Sequence, residues 1–511
     1  GESLWLRQLE TGSESRIVEP KPVEYIGMTI SPDGQYIYAS VFSKNEIDPS
    51  VFRFPIIGGT GVRIPNVTTG SSITISPDGG RFAFTSSNNG ENETLFGVAN
   101  IDGSELRILM HARHDERYLT MFQSSPVAWS PDGTEIALAA HEKREPGALS
   151  AILMVDPATG AERSLTGRRW KDIEDLVWID ADRLAFIASE ENGPADQIWI
   201  YSKAAGDVRQ VTNDLRPHSW LAAGGGKLLT VQLTATTSLR IGELDDARKT
   251  VSSREFFSAS EYVDELDWAP DGSIVYASRA AGTSELWKMN PDGTGQRQMT
   301  NGASVAFGVS VASRDGSVVF AAKRDGKRGI WTSTPDGESL RMLTGGADQA
   351  PDVSADGKVV FHRGIGYAEG VFVVSAVEPT PRLLREKCYF PAISQDGELA
   401  ACYFMDLKAD RKWRIALIST STGGLIRELD IPVAIYDRQI RFHPDGRHIT
   451  QLFSSGPSLS LLLLPIDGSE PTLIENLGKG NSHVPEWKSD GKQFLFPVIS
   501  ETQDAVLLSK F

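Results

Sequence analysis

One short turn, written again and again along the chain, constrains this sequence more than any other feature. Its cleanest copies are Ser31-Pro32-Asp33-Gly34, Ser76-Pro77-Asp78-Gly79, Ser130-Pro131-Asp132-Gly133 and Ala269-Pro270-Asp271-Gly272. Looser copies keep only the Asp-Gly pair, at Asp315-Gly316, Asp356-Gly357, Asp396-Gly397, Asp445-Gly446 and Asp490-Gly491. Two degenerate copies bring the total to eleven: Trp178 to Phe186, with Asp180 and Asp182 in the turn, and Trp220 to Leu229, with Gly224-Gly225-Gly226. In such a turn Pro sets φ, Asp accepts backbone hydrogen bonds through its side chain, and Gly supplies a positive φ. Alternating apolar residues follow, as in Ile274-Val275-Tyr276-Ala277, which marks a strand.

Each unit has a second half, in which an apolar-Trp strand leads through another glycine turn to a last strand. Leu286-Trp287-Lys288-Met289, Pro291-Asp292-Gly293 and Gln298-Met299-Thr300 form one example; Ile330-Trp331, Ile198-Trp199 and Leu4-Trp5 open others. Four antiparallel strands in roughly 40 to 50 residues is the unit of a β-propeller blade. The aspartates Asp315, Asp356 and Asp396 stand 41 and 40 residues apart, and Asp78 and Asp132 stand 54 apart, the excess going into loops. One ring holds about four to eight blades. Eleven units therefore predict an all-β chain of two tandem β-propellers, residues 1–257 and 258–511, with the seam between Ser252 and Asp264. Ser3 to Val18 reads as the second half of a blade whose first half lies upstream. Ala505 to Phe511 reads as a third strand without a fourth, so that an outer strand is borrowed from elsewhere in the chain.

At these residues the sequence resembles the TolB-like, WD-type repeats, over essentially its whole length. More narrowly, Ser3 to Arg7, Leu266 to Ser278, Leu286 to Thr300 and Ala505 to Phe511 look like the C-terminal sensor region of acidobacterial-type receptor serine/threonine kinases. Similar propellers accompany winged-helix regulators. The resemblance implies a binding or sensing module of a larger bacterial signalling protein, in a periplasmic or extracytoplasmic setting. It does not carry kinase activity to these residues, because the glycine-rich phosphate loop, His-Arg-Asp loop and Asp-Phe-Gly triplet are all missing from the sequence.

Composition narrows the partners. Lys and Arg total 51 against 67 Asp and Glu, a formal charge of −16 spread along the 511 residues, which argues against nucleic acid. The longest strongly apolar run, Leu459 to Pro465, is too short to cross a bilayer, so no membrane insertion by this chain is expected. Only Cys388 and Cys402 occur. They are expected as buried free thiols, with a bridge across the hairpin after Ser394 as the alternative.

Candidate chemistry is sparse. Ten of the eleven tryptophans sit at repeat positions and are expected to pack between blades: Trp129, Trp178, Trp220, Trp268 and Trp487 before first turns, and Trp5, Trp199, Trp287, Trp331 and Trp413 in third strands. Trp170, within Arg168-Arg169-Trp170-Lys171, is the exception and a candidate for holding an anionic or peptide ligand. The stretch His111 to Gln123 carries His111, His114, Asp115 and Glu116, donors that suit a metal, but it reads as a solvated insertion. The turn aspartates read as turn residues, since no unit has a calcium-loop pattern. No Gly-x-Ser-x-Gly elbow occurs either. We therefore expect a non-enzymatic module with no metal and no cofactor, binding a protein, peptide or glycan. The competing class is a propeller enzyme such as a metal-dependent polysaccharide lyase. In a propeller, loops from a fourth strand to the next first strand converge on one channel mouth. That mouth is the expected site, with Arg169, Trp170 and His218 in the first ring and Asp264, Gln349, Tyr389, Asp437, Arg438 and His483 in the second.

Overall fold

In this computed structural model, the structure describes residues 2–8, 11–43, 49–69, 73–88, 93–113, 116–119, 126–142, 149–190, 196–213, 216–245, 247, 249–263, 265–279, 284–303, 305–346, 348–363, 370–375, 380–406, 412–431, 439–455, 458–482, 484–509 and 511. All regular structure among them is β, and it is assembled almost entirely from four-stranded antiparallel sheets in meander order. The expected turns sit between the first and second strands. In the first of them Gly34 takes a φ of 69° and its amide reaches the Ser31 carbonyl, while Asp33 Oδ1 accepts the Ser31 hydroxyl at 2.5 Å and the Gln35 amide at 3.0 Å. The same arrangement recurs at Ser76-Asp78, Ser130-Asp132, Ser354-Asp356 and Ser394-Asp396. These aspartates are thus held by their own turns, as the sequence predicts.

The chain divides into two compact units, residues 1–233 with 503–511, and residues 234–502. Five sheets of the second unit follow one another along the chain, with first strands Leu266–Trp268, Val305–Val311, Asp348–Val353, Tyr389–Ile393 and Arg441–Phe442. The sixth joins strands from both ends. It takes Glu486–Trp487 and the start of Gln493–Ser509, then the second part of Lys227–Asp245, then Thr250–Ala259. Apolar side chains join every neighbouring pair of sheets in a closed circuit. Val275 and Leu286 meet Val309 and Phe320. Val319 and Ile330 meet Phe361, and Val360 meets Ile393 and Phe404. Tyr403 and Leu417 meet Phe442 and Leu464, and Leu452 and Leu461 meet Trp487 and Phe494. Leu239, Ile241 and Leu495 return to Trp268 and Tyr276. Such a circuit of six sheets is a six-bladed propeller. Truncating one shared aromatic residue such as Phe320 would cost about 3–5 kcal/mol.

The first unit contains five sheets, begun by Val23–Ile30, Ile73–Ile75, Val127–Trp129, Asp172–Trp178 and His218–Gly224, and the strand pair Glu2–Arg7 with Glu14–Lys21. Leu4, Ile17 and Val18 of that pair pack on Ile37, Ala39 and Phe54, while at the other end Leu508 and Phe511 pack against Leu221 and Leu228.

Four expectations are corrected. The division at 233/234 lies upstream of 257/258, because Thr250–Ala259 is the outer strand of the second unit's closing sheet. Residues 505–509 do not begin a separate third strand. No Gly or Pro interrupts Ile499 to Val506, so Gln493–Ser509 runs as one strand and the closing sheet takes its third strand from Lys227–Asp245. Cys388 and Cys402 form a disulfide, their Cα atoms 5.7 Å apart. Trp5 and Trp220 are 57% and 41% exposed and do not pack between sheets. Of the stretch His111 to Gln123, the described residues are 111–113 and 116–119, and most of them are strand rather than a solvated insertion. Arg107–Arg113 is an outer strand, and Arg117–Leu119 pairs with Ala140 to Glu142. His111 Nδ1 lies 3.2 Å from the Glu93 carboxylate; His114 and Asp115 lie outside the described residues.

Candidate functional site

Aligning the turns of the second unit brings one column of the sequence into view, two residues before each turn. It reads Asp267, Ser310, Asp352, Ala392, Arg441 and Glu486, one residue from the first strand of each of the six sheets. Four of the six bond along the circuit. Asp267 accepts the Val311 amide at 2.7 Å, Ser310 accepts the Val353 amide at 3.2 Å, and Asp352 accepts the Ile393 amide at 2.8 Å. Asp352 also accepts the Ser310 hydroxyl at 3.0 Å. Ala392 cannot take part. Arg441 instead donates from Nε and Nη2 to the two Glu486 oxygens, at 3.0 and 2.7 Å.

All of these but Ala392 line a recess of about 130 Å³ with Trp268, Trp487 and Lys488, on the side where Pro270, Pro444 and Ser489 of the Asp-Gly turns lie. Three carboxylates and one guanidinium thus share a small concave space. Burial pushes Asp267 up to about 7 against the hydrogen bonds from the Val311 and Trp268 amides. Burial also pushes Glu486 up to about 8; Arg441 pulls it down, and Asp267 and Asp352 push it further up. Burial opposes the charge on Arg441, yet Glu486, Asp352 and Asp267 together hold its pKa above the usual range. The recess is consequently a place where carboxylate charge is poorly solvated and an incoming cation would be stabilised.

Beyond the recess, Arg441 faces a constriction lined by Gly308, Ala350 and Phe390. Each sits two residues before a member of the column and is left-handed, with φ of 68°, 49° and 49°. Each also falls at a register shift of its first strand, so the same β-bulge is built into three neighbouring sheets. Trp220 of the first unit, with φ of 57°, sits at such a shift too.

The expected site residues fare differently. Gln349 and Tyr389 are brought together around a residue not singled out in the sequence, His362. Gln349 Nε2 lies 3.3 Å from His362 Nδ1, and the rings of His362 and Tyr389 are 5.5 Å apart. Burial lowers the His362 pKa to about 4 despite Asp348. Asp264, Asp437, Arg438 and His483 lie outside the described residues.

In the first unit Trp170 is a correction. It is 1% exposed, meets Phe186 edge-on at 5.1 Å and exchanges backbone hydrogen bonds with Ser150, so it serves the core rather than a mouth. Arg169 is half-buried and lies 3.4 Å from Glu142, while His218 is buried at the start of its strand with its amide on the Asp196 carbonyl. Near it burial raises Asp172, pushes Asp175 up to about 7 and, reinforced by Asp196, Asp172 and Asp175, pushes Glu174 up to about 8. Asp175 accepts the Leu221 amide at 2.7 Å, as Asp267 and Asp352 accept theirs.

The charged column of the second unit was missed because each member, read alone, is an ordinary polar residue of a strand. Stacking the turns and reading two places upstream would have found it.

No family model matches the chain, and no curated protein matches it. Among solved structures it is similar to a TolB protein of Agrobacterium tumefaciens, at 16% identity and a TM-score of 0.44 over 52% of this chain and 99% of that one. It is similar to TolB of Acinetobacter baumannii at 13% identity and 0.38, over 72% and 83% of the two chains. It is also similar to the β-propeller domain of the trilobed protease of Pyrococcus furiosus, at 12% identity and 0.29, over 71% and 99%.

Proposed function

We propose that this chain is a non-enzymatic binding module of two tandem propellers, the sensor or scaffold part of a larger signalling protein. Its second ring takes a cationic group of a protein or peptide into the carboxylate-lined recess. The observation that carries this reading is the convergence of Asp267, Asp352 and Glu486 on a space of about 130 Å³ in which Arg441 is the one guanidinium among the described residues. A lysine or arginine side chain supplies the charge that such a space lacks, and a concave wall with Trp268 and Trp487 excludes water from the contact. The Cys388–Cys402 disulfide supports an oxidising compartment. No helix among the described residues is long and apolar enough to cross a membrane.

Titration calorimetry with lysine-rich, neutral and glutamate-rich decapeptides tests the reading. The lysine-rich peptide is expected to bind the wild type, and Asp352→Asn is expected to weaken it several-fold while leaving thermal stability nearly intact. Equal binding of all three peptides, or cationic binding that ignores Asp352→Asn, would sink it.

A further inference from the structure

One turn of the second unit departs from all the others. Where the best-formed turns have Ser-Pro-Asp-Gly, this one reads His443-Pro444-Asp445-Gly446-Arg447-His448, with a histidine at its first and sixth places. In five other turns a serine hydroxyl at the first place donates to the aspartate, as from Ser31 to Asp33 and from Ser394 to Asp396. The sixth place holds Tyr36, Arg81 or Leu399 in other turns. The turn therefore needs neither histidine.

The two imidazoles and the aspartate converge. His443 Nδ1 lies 3.2 Å and His448 Nδ1 2.7 Å from the same oxygen, Asp445 Oδ2, and the three atoms lie within 4.8 Å of one another. Nitrogen and oxygen ligands about 2.0–2.2 Å from a common transition-metal ion stand about 3 Å apart, which is the spacing found here. The aspartate is aimed by its other oxygen, which accepts the Arg447 amide at 2.7 Å and the His448 amide at 3.2 Å. A second observation lies outside the cluster. His443 is buried against Trp487, with ring centroids 4.4 Å apart, and its Nε2 is 3.0 Å from the Gly491 carbonyl. A carbonyl only accepts, so Nε2 carries the proton and Nδ1 presents its lone pair toward Asp445. A backbone carbonyl fixing the tautomer of a histidine is the usual outer support of a metal ligand. The one contact an ion would displace at His443 is the 3.2 Å hydrogen bond from the Asp445 amide. His448 is part-exposed and Asp445 exposed, which leaves a path from solvent.

We propose that His443, Asp445 and His448 form a site for a divalent transition-metal ion, zinc in the first instance, completed by water. Two imidazoles and one carboxylate suit zinc and the neighbouring first-row ions and are too nitrogen-rich for calcium. Because Pro444 and Trp487 also line the channel recess, the ion sits on its rim, where it would add a positive charge beside the carboxylates.

Zinc chloride titrated into the full chain at pH 7.5 tests the site, by calorimetry and by the rise in melting temperature. One zinc per chain is expected. His443→Ser restores the serine of the other turns and His448→Tyr copies Tyr36, so both variants keep a residue that a turn of this chain already accommodates. Each is expected to weaken zinc binding by more than about tenfold, and the double variant to abolish it while melting normally without metal. Asp445→Asn, which keeps the turn's acceptor oxygen, is expected to weaken it as well and gives a second route should a histidine variant fold poorly. Absence of zinc binding by the wild type, or undiminished binding by the double variant, would overturn the proposal.

Discussion

Arg441 and Glu486, 45 residues apart, face each other from neighbouring first strands and close a bidentate pair with hydrogen bonds of 3.0 and 2.7 Å. The pair stands where the ring of side-chain to amide bonds is broken by Ala392, and the charges of Asp267 and Asp352 act on both of its members. Its two halves are not equivalent. Removing Glu486 leaves Arg441 with two carboxylates still beside it, whereas removing Arg441 leaves three carboxylates with no cation among them.

Arg441→Ala is therefore expected to destabilise the second unit by about 3–5 kcal/mol at pH 8, and Glu486→Ala by less. Carboxylates relieve the loss by taking up protons, so the Arg441→Ala penalty should shrink on going to pH 5. Denaturant unfolding at the two pH values measures it, and a penalty that does not change with pH would show that the three carboxylates do not share one field.

The wild type carries its own pH signature. Asp175 and Asp267 are pushed up to about 7, and Glu174 and Glu486 to about 8, from ordinary values near 4. The folded protein then holds protons that the unfolded chain has lost, so these groups' contribution is full below about pH 4 and disappears as pH rises through 7 to 8. The turn aspartates Asp132 and Asp271 run the other way. Ser130, and for Asp271 Lys288, hold them down to about 2, and their contribution is present above about pH 4 and lost as pH falls toward 2. Stability is expected to peak near pH 4 and to decline as pH rises to about 8, and Glu174→Gln should flatten that decline. A melting temperature higher at pH 8.5 than at pH 5.5 would contradict the buried carboxylates.

What the sequence made legible was local. Asp33, Asp78 and Asp132 write their turns through contacts within a few residues, and four-stranded sheets follow from the spacing of such turns. The closing sheet was not legible, because its third and outer strands, Thr237 to Ala259, sit more than 220 residues before Glu486–Trp487 and no turn residue announces the exchange. Trp170 was misjudged for a related reason. Its neighbours Arg168, Arg169 and Lys171 are polar, and the bridge to Ser150 that draws it into the core joins residues 20 apart. His362, which lies against both Gln349 and Tyr389, stands mid-repeat without a motif to announce it.

The disulfide offers a test of stability in the fourth sheet of the second unit. Cys388 precedes Tyr389–Ile393 and Cys402 lies within Leu399–Asp406, both fully buried and 14 residues apart in sequence. Closing a loop of that length in the unfolded chain corresponds to about 3 kcal/mol. Replacing both cysteines by alanine is expected to lower stability by about that amount, and dithiothreitol should lower the wild type's melting temperature but leave the variant's unchanged. A variant as stable as the wild type would indicate that the bridge does not form in solution.

The last expectation concerns the constriction beneath the recess. Ala350 holds a φ of 49° and Gly308 one of 68°, at equivalent bulges of neighbouring first strands. A residue with a Cβ loses about 1–2 kcal/mol in that conformation, and glycine does not. Ala350→Gly should consequently relieve backbone strain and raise stability by up to about 1 kcal/mol, the remainder being offset by glycine's greater freedom in the unfolded chain. Gly308→Ala should do the reverse and more, because a Cβ there would come within 2.6 Å of the Pro351 ring and 3.1 Å of the Ala350 Cα. Both partners belong to the next first strand, so the clash would push two neighbouring sheets apart. Denaturant midpoints of the two variants measure both signs at once. If Ala350→Gly destabilises as much as Gly308→Ala, the left-handed bulge is not a source of strain, and the repeated geometry of Gly308, Ala350 and Phe390 would need another explanation.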